Sequence, residues 1–252
     1  MRALVISDIH GNVHALDAVI AAAPAHDVVW NLGDAVGYGA RPNEVVDRLR
    51  SLVAMHVRGN HDRVCCGLTT PQGFNPVAAA AAIWTKETLT DDNREWVRAM
   101  PKGPVSVADN VLCAHGSPLH EDHYIVSMRD AWAPLQRMES GVTLFGHTHV
   151  QGNFSLLTSD WEEERPRYDD REYAVSERIE LTKGTRHLIN PGSVGQPRDN
   201  DWRAAFAIYE HDADDRVSVT FHRIPYDVAA AQTAIREAGL PERLATRLSA
   251  GR

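Results

Sequence analysis

Five short runs rich in β-forming residues each end in Asp, Asn or His: Asp8-Ile9-His10, Gly33-Asp34, Gly59-Asn60-His61-Asp62, His115-Gly116 and Gly146-His147-Thr148-His149. This recurrence constrains the fold more than any other feature of the chain. In open α/β sheets, side chains placed just after each strand converge on one crevice even when they are far apart in sequence. Residues i and i+2 of an extended segment face the same way, so Asp8 with His10, and His147 with His149, can aim at one place. A glycine beside each run permits a sharp turn next to a bulky imidazole.

The intervening pattern agrees with such a sheet. Residues 3–6 read as a strand, Asn12 as a helix cap and residues 13–23 as an amphipathic helix; the unit recurs as strand 28–32, Gly-rich loop 33–41 and helix 42–52 with Pro42 in its first turn. A third strand is expected at 53–57, helices at 75–89 and 92–100, and a hairpin of 105–108 with 111–114 around Asp109-Asn110. Further strands are expected at 142–145, 153–157, 186–189, 204–209 and 217–223, then a helical tail over 227–249 broken at 239–241. The alternation gives an α/β (α+β) class with a layered α/β/β/α body, read as a single unit over residues 1–252. The acidic stretch 159–183 is expected to be a solvated hairpin or loop, with an active-site flap or an oligomer contact as the alternatives.

Charge and cysteine content narrow the function classes. A net charge of −8 with no Lys/Arg-rich run argues against duplex nucleic acid as the main partner. Phosphate anions remain compatible, because bound cations are the largest local charges at such a site. Cys65, Cys66 and Cys113 make no even-numbered disulfide framework and no CxxC, which fits a reducing cytoplasm and excludes thiolate zinc. The apolar start of the chain is too short for a signal segment, and the longest apolar run elsewhere, 77–84, is too short to span a bilayer. The expectation is a cytoplasmic protein with no membrane partner, while assembly as a homo-oligomer stays open.

A single buried histidine is more often a hydrogen-bonded core residue than a ligand. Five ligand-bearing segments together reverse that weighting. Carboxylate, amide oxygen and imidazole without thiolate suit manganese, iron, zinc, cobalt or nickel, with manganese the leading expectation, and too many imidazoles are present for a dedicated magnesium or calcium site. Asp8, His10, Asp34, Asn60, His115, His147 and His149 supply seven ligands, enough for two ions if one carboxylate bridges. Two such ions would clamp a phosphoryl oxygen and activate a shared water to attack phosphorus.

With those residues in hand, the sequence resembles the calcineurin-like metallophosphoesterase superfamily, in its small prokaryotic phosphodiesterase-like branch. The order Asp-x-His, Gly-Asp, Gly-Asn-His-Asp, a lone His and Gly-His-x-His is complete across residues 8–149, and the branch's flavour lies in Gly33 to Gly39 and Asn190 to Asp199. The resemblance implies two facing mixed sheets flanked by helices, and divides the ligands into Asp8, His10 and His149 on one ion and Asn60, His115 and His147 on the other, with Asp34 bridging. It also implies that His61 contacts phosphate and protonates the leaving oxygen, with Asp62 orienting the site.

One departure bears on substrate. Where the protein phosphatases and symmetrical dinucleoside polyphosphatases of the family carry an arginine after Gly-Asp, this chain has Gly37-Tyr38-Gly39, leaving Arg198 or Arg41 as the phosphate grip. Asn60, Arg198 and Tyr38 are the candidate substrate contacts, with Tyr38 packing in place or stacking on a base; His120 and His123 read as surface-loop residues. The expected function is hydrolysis of a small, nucleotide-like phosphoester, by a phosphodiesterase or phosphatase. Hydrolysis of dinucleoside polyphosphates such as diadenosine tetraphosphate is one alternative, and a non-catalytic metal-binding scaffold is the alternative of another class.

Overall fold

Along β1 (Arg2–Ile6) successive side chains point to opposite faces, and this alternation sets the layering. Ala3 and Val5 enter a core lined by strands alone, while Leu4 and Ile6 enter a second core lined by helices. The computed structural model describes residues 1–139 and 141–252. After β1 come α1 (Val13–Ala22), β2 (Val28–Asn31), α2 (Pro42–Leu52), β3 (Met55–His56), α3 (Asn60–Cys65), α4 (Pro76–Thr88), α5 (Asp91–Arg98), β4 (Val105–Ala108) and β5 (Val111–Cys113). The chain continues through α6 (Met128–Arg137), β6 (Val142–Leu144), β7 (Gly152–Leu157), β8 (Asp160–Glu164), β9 (Val175–Leu181), β10 (Arg186–Asn190), β11 (Ala204–His211), β12 (Val217–Ile224), α7 (Val228–Glu237) and α8 (Glu242–Thr246).

The strands form two six-stranded mixed sheets, ordered β3-β2-β1-β11-β12-β9 and β4-β5-β6-β10-β7-β8. Trp30, Val5, Tyr209 and Phe221 of the first sheet meet Cys113, Leu144 and Ile189 of the second in the middle core. The outer face of the first sheet packs on α1, α2, α4, α7 and α8, and α6 covers the second through Ala131 and Leu135. This is the four-layer α/β/β/α body expected from the sequence. Strands β1, β2 and β3 run parallel, as do β5, β6 and β10. Five of the six, all but β10, deliver the ligand-type residues just beyond their carboxyl ends.

Three local features depart from or extend the sequence reading. The acidic stretch 159–183 is not one hairpin: β8 pairs with β7 in one sheet, whereas β9 pairs with β12 in the other, so the segment crosses between sheets. Two short helices lie outside the sequence reading, α3 of six residues and α6, which has a proline inside it. In α3 the Asp62 carboxylate accepts the Gly59 N–H at 2.9 Å and closes the first turn; in α6 the Asp130 carboxylate does the same for Ser127 at 3.1 Å. The three cysteines are free and buried. Among the described residues no helix is long and apolar enough to cross a membrane.

The crossing segment is tied down by one buried arginine, Arg203, which a second, Arg223, supports from behind. Arg203 holds Asp201 through Nε at 2.9 Å and Nη2 at 2.6 Å and donates to the Tyr173 carbonyl at 2.6 Å. Arg223 donates to Gln151 Oε1 at 2.8 Å and to the Arg203 carbonyl at 3.1 Å, and pairs with Asp199. Breaking such a buried pair from one side strands the other charge. Arg203→Ala should therefore lower unfolding free energy by ~3–5 kcal/mol in urea denaturation; a loss below ~1 kcal/mol, the range of an exposed pair, would contradict this reading.

Candidate metal centre

The candidate ligands stand on unusual backbone. Asp8, His10, Asp34, His147 and His149 all have φ between 52° and 69°, the left-handed region that costs an ordinary L-residue roughly 1–2 kcal/mol. Such a concentration of unfavourable backbone in one place marks a site whose geometry the surrounding fold imposes. The neighbouring chains enforce it: Asp8 N–H donates to the Gly33 carbonyl at 2.9 Å and His10 N–H to the Asp34 carbonyl at 3.0 Å, lacing the turns after β1 and β2 together.

All seven candidate side chains meet. His149 Nε2 lies 3.1 Å from His10 Nε2 and 3.2 Å from Asp8 Oδ1. Asp34 Oδ2 lies between the halves, 3.7 Å from His10 Nε2 and 3.4 Å from His115 Nε2. His115 Nε2 is 3.2 Å from Asn60 Oδ1 and 3.1 Å from His147 Nδ1. Two overlapping donor groups result: Asp8, His10, His149 and Asp34, then Asp34, Asn60, His115 and His147.

Hydrogen bonds on the far side of each ring settle which nitrogen faces inward. His10 Nδ1 contacts the Val36 carbonyl at 3.2 Å, His115 Nδ1 that of Leu32 at 2.8 Å, His149 Nδ1 that of Gln196 at 2.6 Å and His147 Nε2 that of Asp122 at 3.3 Å. A carbonyl only accepts, so each of these nitrogens carries the proton and each neutral ring turns a lone pair to the cluster. Lone pairs 3.1 Å apart repel unless a cation lies between them. Two donors at ~2.1 Å from one ion stand about this far apart, so the residues fit a pair of divalent ions.

The electrostatics of the bare chain carry the same message. Burial would raise the carboxyls of Asp8 and Asp34, but His149 beside the first and His115 beside the second hold both well below the usual range. Burial would lower His115, yet Asp34 and Asp8 push it up to about 10; a proton there neutralises what an ion would. Burial, with His115 adding to it, drives His147 down to about 3.

His61 sits just outside the ligand set. It is buried, its backbone N–H donates to Asp34 Oδ1 at 2.8 Å, and its ring Nδ1 has no hydrogen-bond partner. Burial takes it down to about 4. A Cβ on Gly37, at φ 91°, would come within 2.6 Å of that Nδ1, so the Gly-Tyr-Gly turn makes room for the imidazole. Tyr38 packs against His61 and His10, with ring centroids at 4.3 and 4.7 Å, rather than standing free.

Asp62 has another task. Its buried carboxylate accepts the backbone N–H of Asp34 at 2.8 Å, Gly59 at 2.9 Å and Val36 at 3.2 Å, so it orients the loops that present Asp34 and Asn60. Burial and the charge of Asp34 push its pKa up, while the N–H donors of Gly59 and Val36 oppose them.

Of the two arginines left open, Arg41 pairs with Glu44 near the surface at 3.4 Å. Arg198 lies beside the cluster, with a buried Nε that has no partner and a charge felt by His61 and His149. His120 and His123 are exposed on the loop after β5 and stay out of the cluster.

Sequence reasoning missed four supporting residues. Tyr124 stacks on His147 at 3.8 Å between centroids, and Ser7 donates to Asp8 Oδ2 at 2.7 Å. Ser193 donates to the Asp8 carbonyl at 2.7 Å, and Asn190 Nδ2 donates to the Gly146 carbonyl and Thr148 Oγ1 at 2.8 and 2.9 Å. Asn190 ends β10 and Ser193 follows it, at the carboxyl end of a strand like the other sites, which is the signal that could have found them.

Outer hydrogen-bond partners of metal ligands typically control affinity 10–100-fold. Asp62→Ala should accordingly weaken manganese binding by about that factor in a chelator competition, with the protein still folded by circular dichroism. Unchanged affinity would show that Asp62 does not hold the ligand loops.

Comparison with known proteins agrees with this geometry. Residues 1–214 match the calcineurin-like phosphoesterase superfamily domain. A metallophosphoesterase of Sphaerobacter thermophilus, known from its crystal structure, is 40% identical and superimposes over 100% of this chain and 99% of its own with a TM-score of 0.84. An uncharacterised protein of Methanocaldococcus jannaschii is 32% identical over 262 residues, covering 98% of this chain and 97% of that protein. A hypothetical protein of Pyrococcus horikoshii, 20% identical, shares the fold over 100% of this chain and 98% of its own with a TM-score of 0.74. The chain therefore belongs to the calcineurin-like phosphoesterase superfamily and is a metal-dependent phosphoester hydrolase.

Proposed function

We propose that the chain hydrolyses a phosphoester of a small, nucleotide-like substrate at the paired donor groups, with the whole of residues 1–252 acting as one unit. The observation that carries this is the inward convergence of four imidazole lone pairs on Asp8 and Asp34, with every outer ring nitrogen held by a carbonyl. Asp8, His10 and His149 would hold one ion and Asn60, His115 and His147 the other, with Asp34 placed between the two groups. Manganese is the ion of first choice for this mixed oxygen and nitrogen set, with iron, zinc, nickel or cobalt as alternatives. Bound there, two divalent ions polarise the phosphoryl oxygens and lower the pKa of a water for in-line attack.

The remaining residues act on the substrate. One bond forms from the water oxygen to phosphorus and one breaks to the ester oxygen, which takes the electron pair and a proton. His61 supplies that proton: one of its ring nitrogens lies within 4.8 Å of a carboxylate oxygen of Asp34, and a phosphate's negative charge next to it opposes the burial that keeps it neutral. The Arg198 guanidinium grips the phosphoryl oxygens in place of the arginine absent after Gly33-Asp34. Tyr38 keeps the His61 ring in position.

A panel of phosphomonoesters, phosphodiesters, cyclic nucleotides and dinucleoside polyphosphates, run with manganese, zinc, nickel and magnesium, tests the reading. Turnover of at least one class is expected, abolished in Asp34→Ala. His61→Ala should lose about 10²–10⁴ in kcat while retaining its ions. No turnover of any ester, together with specific capture of a macromolecular partner, would replace the enzyme reading by the scaffold one. Wild-type turnover in Asp34→Ala freed of metal would refute the proposed site.

A further inference from the structure

Although the chain carries a net charge of −8, a cleft of about 840 Å³ beside the cluster is lined by Arg198, Arg243, Arg247 and Arg252 together with Tyr38 and Tyr124. Arg243 and Arg247 are one helical turn apart at the end of α8, which puts them on one face. Arg252 follows a backbone bond from Asn200 N–H to the Gly251 carbonyl at 2.9 Å that holds the tail against the loop after Arg198. Among the described residues none of the four guanidiniums pairs with an Asp or Glu side chain. Arg198 Nη2 reaches Gln196 Oε1 at 3.5 Å, Arg247 Nε donates to the Arg252 carbonyl and Arg252 Nε to Asn200 Oδ1 at 3.0 Å. Elsewhere Arg63, Arg203 and Arg223 each hold a carboxylate.

The cleft borders the site through Tyr38, Tyr124 and Arg198. Tyr38, whose ring is 4.3 Å from His61, carries the Arg247 guanidinium 5.7 Å from its own centroid on the cleft side. Tyr124 stacks on His147 at the other half of the cluster. Burial and the nearby Arg198 bring Arg247 down to about 10, which leaves it charged at neutral pH. Four like charges gathered without Asp or Glu partners repel one another, and planar guanidiniums match phosphate oxygens two by two. The volume is that of a small-molecule site.

We propose that this cleft holds a second phosphate group of the substrate, so that the preferred substrates are polyphosphorylated small molecules of the nucleotide class. The inference rests on the phosphoesterase reading above and adds what lies beyond the reacting phosphorus. Arg198 serves the reacting group, and Arg243, Arg247 and Arg252 serve the distal one.

Calorimetric titration of the manganese-loaded full chain with methylenediphosphonate and with methylphosphonate tests it without turnover. The wild type should favour the diphosphonate, and Arg243→Ala with Arg247→Ala should erase at least about tenfold of that preference, the loss expected for a charge-assisted contact. Arg243→Lys with Arg247→Lys should restore part of it. The ratio of kcat/KM for diadenosine tetraphosphate to that for bis(4-nitrophenyl) phosphate should fall in parallel. An unaltered preference in alanine variants of wild-type melting temperature would overturn the proposal, as would displacement of the diphosphonate by a single-stranded oligonucleotide but not by tripolyphosphate. Absence of turnover with an intact diphosphonate preference would instead strike the hydrolytic reading and leave the cleft assignment standing.

Discussion

Four buried imidazoles, each held through one ring N–H by a backbone carbonyl, are the constraint on which the rest of the structure depends. With Val36, Leu32, Gln196 and Asp122 accepting those hydrogen bonds, the opposite nitrogens of His10, His115, His149 and His147 offer lone pairs in the neutral rings. Those lone pairs converge on Asp8 and Asp34, both buried. Negative and electron-rich groups packed at 3.1–3.9 Å are unstable together without positive charge among them. A proton on His115 relieves part of this, and divalent cations bound among the donors would relieve the rest.

The fold supports that arrangement from below. Parallel strands of two facing sheets end at one edge of the molecule, and the turns that follow are forced into left-handed backbone at Asp8, His10, Asp34, His147 and His149. At roughly 1–2 kcal/mol for each such residue, the sum rivals the net stability of an ordinary domain. Turns laced together by backbone hydrogen bonds, the Asp62 carboxylate and the Ser193 and Asn190 side chains offset it. Close packing leaves no slack: a Cβ on Gly59 would lie 2.0 Å from Asp34 Oδ1. Rigidity of this kind fixes donor atoms before any ligand arrives.

Much of this was legible in the residues. The apolar run of β1, the amphipathic stretch of α1 and the proline-marked starts of α2 and α4 reported the layers, because burial and helix starts leave a direct trace in sequence. The seven donors were legible because each follows a strand and carries a metal-binding atom. What could not be read lies in contacts with no local pattern. Helix α3 owes its start to one carboxylate, α6 hides behind Pro134, and the acidic stretch 159–183 divides its strands between two sheets because its ends are claimed by β7 and β12. Tyr124 and Ser7 serve through position alone. The arginines of the C-terminal tail are spread through an ordinary-looking helix, and only the folding of that tail against the Arg198 loop brings them to the metal edge.

The central claim is that this edge binds two ions through a shared carboxylate. Anomalous diffraction from crystals of the manganese-loaded protein tests it most directly. Two peaks about 3.5–4 Å apart are expected, one contacted by Asp8, His10 and His149, the other by Asn60, His115 and His147, with Asp34 between them. A single peak, or ions bound elsewhere with these seven side chains unengaged, would contradict the account.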